Sequence, residues 1–372
     1  MNLAWPKLNL ILSLVLVATA CAKDGFMGSR RHKPEPPAPQ WVPDGEVARM
    51  VPISDEPQWL HVSGRHLRNL KGEAVLLRGV NIPDPQHGDK LRAGRTSASI
   101  MAAAVKDLGA NVIRLPIHPE AVDGMGFLHD PESYFEEHLD PLVDAARDMG
   151  VHLIIDLHYV ADYPDLADEA FFFWRKVAPR YKREPHVLYE LFNEPIAPND
   201  WETFRAFAQP LVDAVRKMAP DNVIIVGGPG WSLNMSGAAD QPITGKNVMY
   251  AVHVYPRHPT SAWRSDLDRL MQNHPVFVTE WGYEDGAESV LSGTRSGFGE
   301  PFVSFLETRQ LSWTAWIYDD RWTSRMLTEA GTLTGGEGGM GELVLESLRR
   351  SWSVSQPPTA SNWQSPASNS LK

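Results

Sequence analysis

Eight short apolar, β-rich runs recur along this chain at Ala74–Val80, Asn111–Ile117, Val151–His158, Val187–Glu194, Asn222–Gly228, Val248–Tyr255, Val276–Gly282 and Ser312–Tyr318. Their near-continuous hydrophobicity suits strands buried on both faces, as in a parallel sheet, rather than strands with one wet face. Helical patterns fill most of the gaps, at Ser97–Leu108, Phe135–Met149, Leu166–Tyr181, Trp201–Met218, Ala262–Asn273, Pro301–Arg309 and Gly341–Arg350. The gap after the fifth run, around Trp231–Met235, has room for a short helix at most.

Strands alternating with helices in this number fit an α/β fold of the closed (β/α)₈ TIM-barrel type, which needs ~250 residues. An open doubly wound sheet is the alternative. If it bound a nucleotide it would carry a glycine-rich turn after its first strand, and Arg78-Gly79-Val80-Asn81-Ile82-Pro83 is not one. Ahead of the barrel, Leu60–Leu77 contains Gly64 and Lys71-Gly72, which predict a small N-terminal hairpin.

The two ends differ from this middle. Lys7, the apolar run Leu8–Val17 and the small residues Ala18-Thr19-Ala20 give residues 1–21 the form of an export signal. The apolar run is too short to span a bilayer, which takes roughly 20 residues. Cys21, the single cysteine, follows at once, and Val17-Ala18-Thr19-Ala20-Cys21 resembles a bacterial lipobox. A lone cysteine cannot close an internal disulfide, and lipid attachment would give it a use; ordinary cleavage that leaves a free thiol is the alternative. The chain is therefore expected to be exported, as an outer-membrane or cell-surface lipoprotein or else as a secreted protein. Residues 22–57 are punctuated by prolines and predict a disordered linker, residues 58–352 the barrel domain, and residues 353–372 a disordered tail. A net charge of −11 argues against nucleic acid as a partner and favours a neutral substrate. The only membrane contact expected is through the lipid.

Sites in such barrels sit at the C-terminal ends of the strands, and polar residues inside a buried strand are expensive unless they serve a site. Here they collect at those ends: Arg114, His158, Asn193-Glu194, His253 with Tyr255, Glu280 and Trp316. Two carboxylates facing each other across such a rim suit glycosidic cleavage, where one protonates the leaving oxygen and the other attacks or activates water. Glu194 and Glu280 each follow a strongly apolar run, so surface salt bridges do not account for them.

From about residue 60 to 350 the sequence resembles glycoside hydrolase family 5, the cellulase family of clan A. Leu191-Phe192-Asn193-Glu194-Pro195 looks like its acid/base motif and Thr279-Glu280-Trp281-Gly282 like its nucleophile motif. Asn111–Pro116, Asp156-Leu157-His158, His253-Val254-Tyr255 and Trp313–Trp316 are further matches. The resemblance implies Glu194 as acid/base and Glu280 as nucleophile, with Arg114 and Tyr255 holding Glu280. It also implies Asn193 on the sugar 2-hydroxyl, His253 beside Glu194, His158 against the sugar next to the scissile bond, and Trp316 stacked beneath its ring. The activity expected is a retaining endo-β-1,4-glucanase on a neutral β-linked polysaccharide. The alternatives are a β-mannanase or other β-glucan hydrolase, or a non-catalytic surface polysaccharide-binding protein.

No cofactor or metal is expected. Gly336-Glu337-Gly338-Gly339-Met340-Gly341 has a dinucleotide-binding spacing but no following strand, and the histidines show no metal-site spacing. Trp231, Trp281 and Trp322 fall in or near strand-to-helix loops, as sugar platforms or as packing. Asp319-Asp320 follow the last run without an assigned place in the family pattern, as shapers of the positive subsites or as solvent-binding residues.

Overall fold

The computed structural model describes residues 41–355, apart from 55, 92–94 and 121–123. Eight parallel strands close into a barrel: β1 Arg78–Asn81, β2 Val112–Ile117, β3 His152–Leu157, β4 Val187–Glu190, β5 Ile224–Val226, β6 Val248–Val254, β7 Val276–Trp281 and β8 Ser312–Ala315. Each pairs with its neighbours in sequence, and β8 closes on β1 through Trp313 opposite Arg78. β1 passes so near β2 that a Cβ on Gly79 would stand 1.8 Å from the carbonyl oxygen of Val112, so no side chain fits there.

The helices lie where the pattern places them, with ends shifted by a few residues. Trp201–Met218 matches its expected bounds and opens on Asp200, whose carboxylate accepts the Thr203 N–H at 2.9 Å. After β5 comes only a short turn, Pro229–Ser232, containing three consecutive left-handed residues: Gly230 (φ 65°), Trp231 (φ 61°) and Ser232 (φ 54°).

Two expected boundaries move. The run Ala74–Val80 is not one strand: Val75–Leu76 pairs outside the barrel with Arg49–Met50, and β1 begins only at Arg78. The carbonyl of Leu76 is taken by the Val51 N–H at 3.1 Å and by the Asn111 side chain at 3.0 Å, so the chain changes partner at Leu77. The pairing of Arg49–Met50 also shows that residues 41–57 are not all linker. Ala48 and Met50 are buried, Gln310 accepts the Ala48 N–H at 2.6 Å, and Glu46 forms an ion pair with Arg68. Proline spacing predicts an absence of helix well, but it does not report docking onto a barrel. At the other end the last helix, Gly341–Ser355, runs past the expected limit at 352. The export signal, Cys21, the linker as far as residue 40 and the tail from 356 lie outside the described residues.

The expected hairpin is present as His61–Ser63 against His66–Arg68. Its Leu60 and Leu67 pack with Leu77, Val112, Ile154, Leu188, Ile225, Met249 and Phe277, closing the N-terminal mouth of the barrel with apolar side chains. Polar groups inside the barrel are thereby confined to its other end. Among the described residues no helix is long and apolar enough to cross a membrane.

Candidate active site

Arg114 enters the barrel from β2 with no exposed surface. Its Nε donates to Glu190 at 2.6 Å, one terminal nitrogen to Asn81 at 2.8 Å and to Glu280 at 2.7 Å, and the other to Asn193 at 2.8 Å. Asp156 lies 3.0 Å from that last nitrogen. Burial opposes a charge here, but Asp156, Glu190 and Glu280 together raise the guanidinium's proton affinity above its ordinary value. Three carboxyl groups around one guanidinium leave a surplus of negative charge. Asp156 absorbs part of it: burial, and then the charges of Glu190 and Glu280, push its carboxyl well above the usual range against the pull of Arg114.

Glu280 is reached through a β-bulge. Ala251 stands opposite Phe277 but His253 stands opposite Glu280, so two residues of β6 face three of β7. The extra residue lets Thr279 and Glu280 both meet the site: Thr279 donates to Glu190 at 2.8 Å, while Glu280 accepts from Arg114 and from the Tyr255 hydroxyl at 2.7 Å. Glu194 follows β4 and is pinned from the opposite side, its Oε1 lying 2.8 Å from Nδ1 of His253. One oxygen of Glu194, one of Glu280 and a ring nitrogen of His253 all lie within 4.8 Å of one another. The Glu194 side chain is the more open, at 15% exposure against 5% for Glu280.

His253 is buried, which disfavours its charge, yet Glu280, Glu190 and Glu194 surround it and push its pKa up to about 10. Glu190 is the reverse case: burial would raise it, and Arg114 and His253 instead hold it down at about 2.

The same end of the barrel carries a stack of flat rings. His158 lies parallel to Trp316, with centroids 5.6 Å apart and 5° between planes, and Trp316 stacks on Trp322 at 6.0 Å. On its other face His158 stacks on His118 at 4.8 Å. Burial holds both histidines down at about 4, so they are neutral near pH 7. Asp156 fixes the His158 ring at 2.7 Å, and the Trp316 indole N–H donates to the Thr323 carbonyl at 2.9 Å. Buried Asp319 accepts the backbone N–H groups of Arg321 and Trp322 at 3.2 and 2.9 Å, which turns the loop that presents Trp322.

The structure thus brings Arg114, His158, Asn193, Glu194, His253, Tyr255, Glu280 and Trp316 to one end of the barrel; Cys21 lies outside the described residues. Sequence reasoning missed Asn81, Glu190 and Thr279 as parts of the site. The signal for Glu190 was available: an acid inside an apolar strand run needs a buried cation, and Arg114 in another run supplies one. Two groups could hold a cation among the described residues, Glu194–His253–Glu280 and Asp44–Glu46–His66. Each already has arginine beside it, Arg114 in the first and Arg65 and Arg68 in the second, which supplies positive charge without a metal.

The chain is similar to known proteins of one family. The sequence model of the cellulase family, glycosyl hydrolase family 5, matches residues 69–321. An endoglucanase of Clostridium saccharobutylicum is 28% identical over 311 residues, covering 82% of this chain and 67% of that protein. Endoglucanase E-5 of Thermobifida fusca is 30% identical over 290 residues, 74% of this chain and 59% of that one. This chain therefore spans about three fifths to two thirds of the length of these relatives. The crystal structure of the Thermobifida fusca catalytic domain superposes with a TM-score of 0.66 at 27% identity, over 78% of this chain and 97% of that one. A β-glucanase of Saccharophagus degradans shares the fold with a TM-score of 0.72 at 24% identity, over 83% and 98% of the two chains. With its eight-stranded barrel and two facing glutamates, the chain belongs to glycosyl hydrolase family 5.

Proposed function

We propose that this protein is a retaining endo-β-1,4-glucanase with Glu280 as nucleophile and Glu194 as acid/base. The observation that carries this reading is the approach of the two carboxyl groups, whose nearest oxygens lie within 4.8 Å. Retaining enzymes hold theirs ~5–5.5 Å apart, and inverting ones need about 6.5–9.5 Å to admit a water. An oxygen of Glu280 attacks the anomeric carbon as Glu194 gives its proton to the departing glycosidic oxygen. A glycosyl ester on Glu280 and a free alcohol result. Water then enters, Glu194 takes its proton, and the oxygen that remains attacks the same carbon and releases Glu280. Arg114 and Tyr255 bind Glu280 from two sides, which favours its ionised form and fixes its direction of attack. Asn193, oriented by Arg114, is placed for the sugar 2-hydroxyl, and Trp316, 9% exposed at the same end of the barrel, is assigned to the sugar ring.

The substrate class rests on the relatives named above as endoglucanases, and on a crystal structure of the Thermobifida fusca enzyme that holds cellotetraose. A net charge of −11 suits a neutral glycan better than an anionic one. Reducing-sugar release by residues 22–372 from a panel of soluble β-glucans and β-mannans tests this. Preferred cleavage of a β-1,4-glucan is expected; preference for mannan would move the protein to another activity of the family.

We further propose that Cys21 carries a lipid and that the enzyme is displayed at a membrane surface. The support is the lipobox-like Val17–Cys21, and Ala22 in place of the aspartate that favours inner-membrane retention. The full chain made in a Gram-negative host should then enter the outer-membrane fraction with lipid mass on Cys21, and Cys21→Ala should abolish that mass. Wild-type protein without lipid mass would overturn the anchor.

A further inference from the structure

Glu190 lies too deep to meet a sugar, yet it joins the two halves of the site. Its Oε2 accepts Nε–H of Arg114 at 2.6 Å, and Arg114 in turn holds Glu280. Its Oε1 accepts the Thr279 hydroxyl at 2.8 Å; the Thr279 oxygen lies 3.1 Å from Nε2 of His253, whose Nδ1 faces Glu194. Neutralising Arg114 does not require Glu190, because Glu280 already pairs with the guanidinium at 2.7 Å.

The direction of these hydrogen bonds follows from counting protons. An ionised carboxylate only accepts, and a threonine hydroxyl has one hydrogen to give. Thr279 spends that hydrogen on Glu190, so its oxygen is left to accept Nε2–H from His253. The ring therefore carries its first proton on Nε2, and only Nδ1, the nitrogen that faces Glu194, is free to gain or lose one.

Resting on the assignment of Glu194 as acid/base, we propose that Glu190 is a positioning residue: acting through Thr279, it fixes His253 as the Nε2–H tautomer and turns the titrating nitrogen toward Glu194. The second proton of His253 then makes Nδ1–H a donor to Glu194. That stabilises the carboxylate left behind when the glycosidic oxygen takes its proton. The titratable groups interacting with His253 are Glu190, Glu194, Glu280, Asp156, His158 and His258, and Glu280, Glu190 and Glu194 favour the charged ring.

The test is ¹⁵N NMR of histidine-labelled protein across pH, with no substrate present. The wild type should show His253 doubly protonated at neutral pH, and in its alkaline neutral form the proton should remain on Nε2. Thr279→Val leaves Arg114 and Glu190 in place but cuts the relay. His253 should then lose its second proton at a pH lower by about one unit or more, and the preference for Nε2–H should weaken. In Glu190→Gln the amide can accept from Arg114 and donate to Thr279, which reverses the threonine and should move the neutral ring to Nδ1–H. Wild-type titration and tautomer in a folded Thr279→Val would overturn the proposal, even if Glu190→Gln were inactive. The NMR outcome is independent of turnover, so failure to cleave any glycan would count against the glucanase reading alone.

Discussion

Arg114 reaches from the second strand to the seventh and donates a 2.7 Å hydrogen bond to Glu280, with four further acceptors around the same guanidinium. A lysine offers three donors at one point and cannot serve groups arrayed in a plane. Arg114→Lys should therefore lower kcat by roughly 10²–10³-fold, as loss of a preorganised electrostatic contact does. Because carboxylates would be left buried and poorly paired, it should also destabilise the fold by about 3–5 kcal/mol, measurable in denaturant melts.

Trp231 is 41% exposed although it is held in a left-handed conformation that bulky residues rarely adopt. Neighbouring Gly230 bonds to Ile196 in the loop just after Glu194, and Ser232 to the Asn193 carbonyl at 2.5 Å. Strain held beside a site has a use when it presents a side chain, here the exposed ring of Trp231. Trp231→Ala should raise KM for polymeric glucan roughly 3–10-fold, in line with the loss of one stacking contact. Hydrolysis of an aryl cellobioside should change little, as steady-state kinetics on the two substrates will show.

Stability should follow a dome in pH. Burial holds His118, His152 and His158 at about 4, against 6.5 for an unperturbed histidine, so the unfolded chain binds more protons between those values. Melting temperature should thus fall as pH drops from about 6.5 to 4. It should fall further below 4, where Asp84 and Glu190, both held at about 2, begin to differ from an unfolded carboxylate. His253, raised to about 10, acts in the opposite sense: its contribution is complete below 6.5 and is lost as pH rises through 10. His152 sits at the N-terminal end of β3, away from the site, so His152→Leu should flatten the acid side without changing the activity profile. An unchanged acid slope would contradict the assignment.

Residues 41–57 contribute to the fold. A chain beginning at residue 58 loses the buried side chains of Ala48 and Met50 and the strand paired with Val75–Leu76. Against a chain beginning at residue 41, it should be less stable by about 2–5 kcal/mol, the range for removing one large core side chain. Calorimetry of the two proteins measures the difference.

The barrel was legible because its signals are local. Runs such as Val151–His158 are apolar throughout, and the Trp201–Met218 helix pairs a capping aspartate with a regular apolar stripe. Arg114, Glu194, His253 and Glu280 were also visible, since each is a polar group that breaks an apolar run. Less legible were features set by partners distant in the chain. Val75–Leu76 has strand composition, but its partner is Arg49–Met50 within a proline-rich stretch. The bulge at Thr279–Glu280 and the link through Glu190 depend on register between strands, which composition does not encode.

The two glutamates can be separated most directly with an aryl glycoside whose leaving group is strongly acidic, because it needs a nucleophile but little protonic help. Glu194→Ala should still form the glycosyl-enzyme from this substrate and release a burst of phenol. Slow turnover should follow, with activity on polysaccharide largely lost. Glu280→Ala should give neither burst nor turnover on either substrate. A burst from Glu280→Ala with none from Glu194→Ala would reverse the roles, and near-normal turnover by Glu280→Ala would contradict the double-displacement account itself.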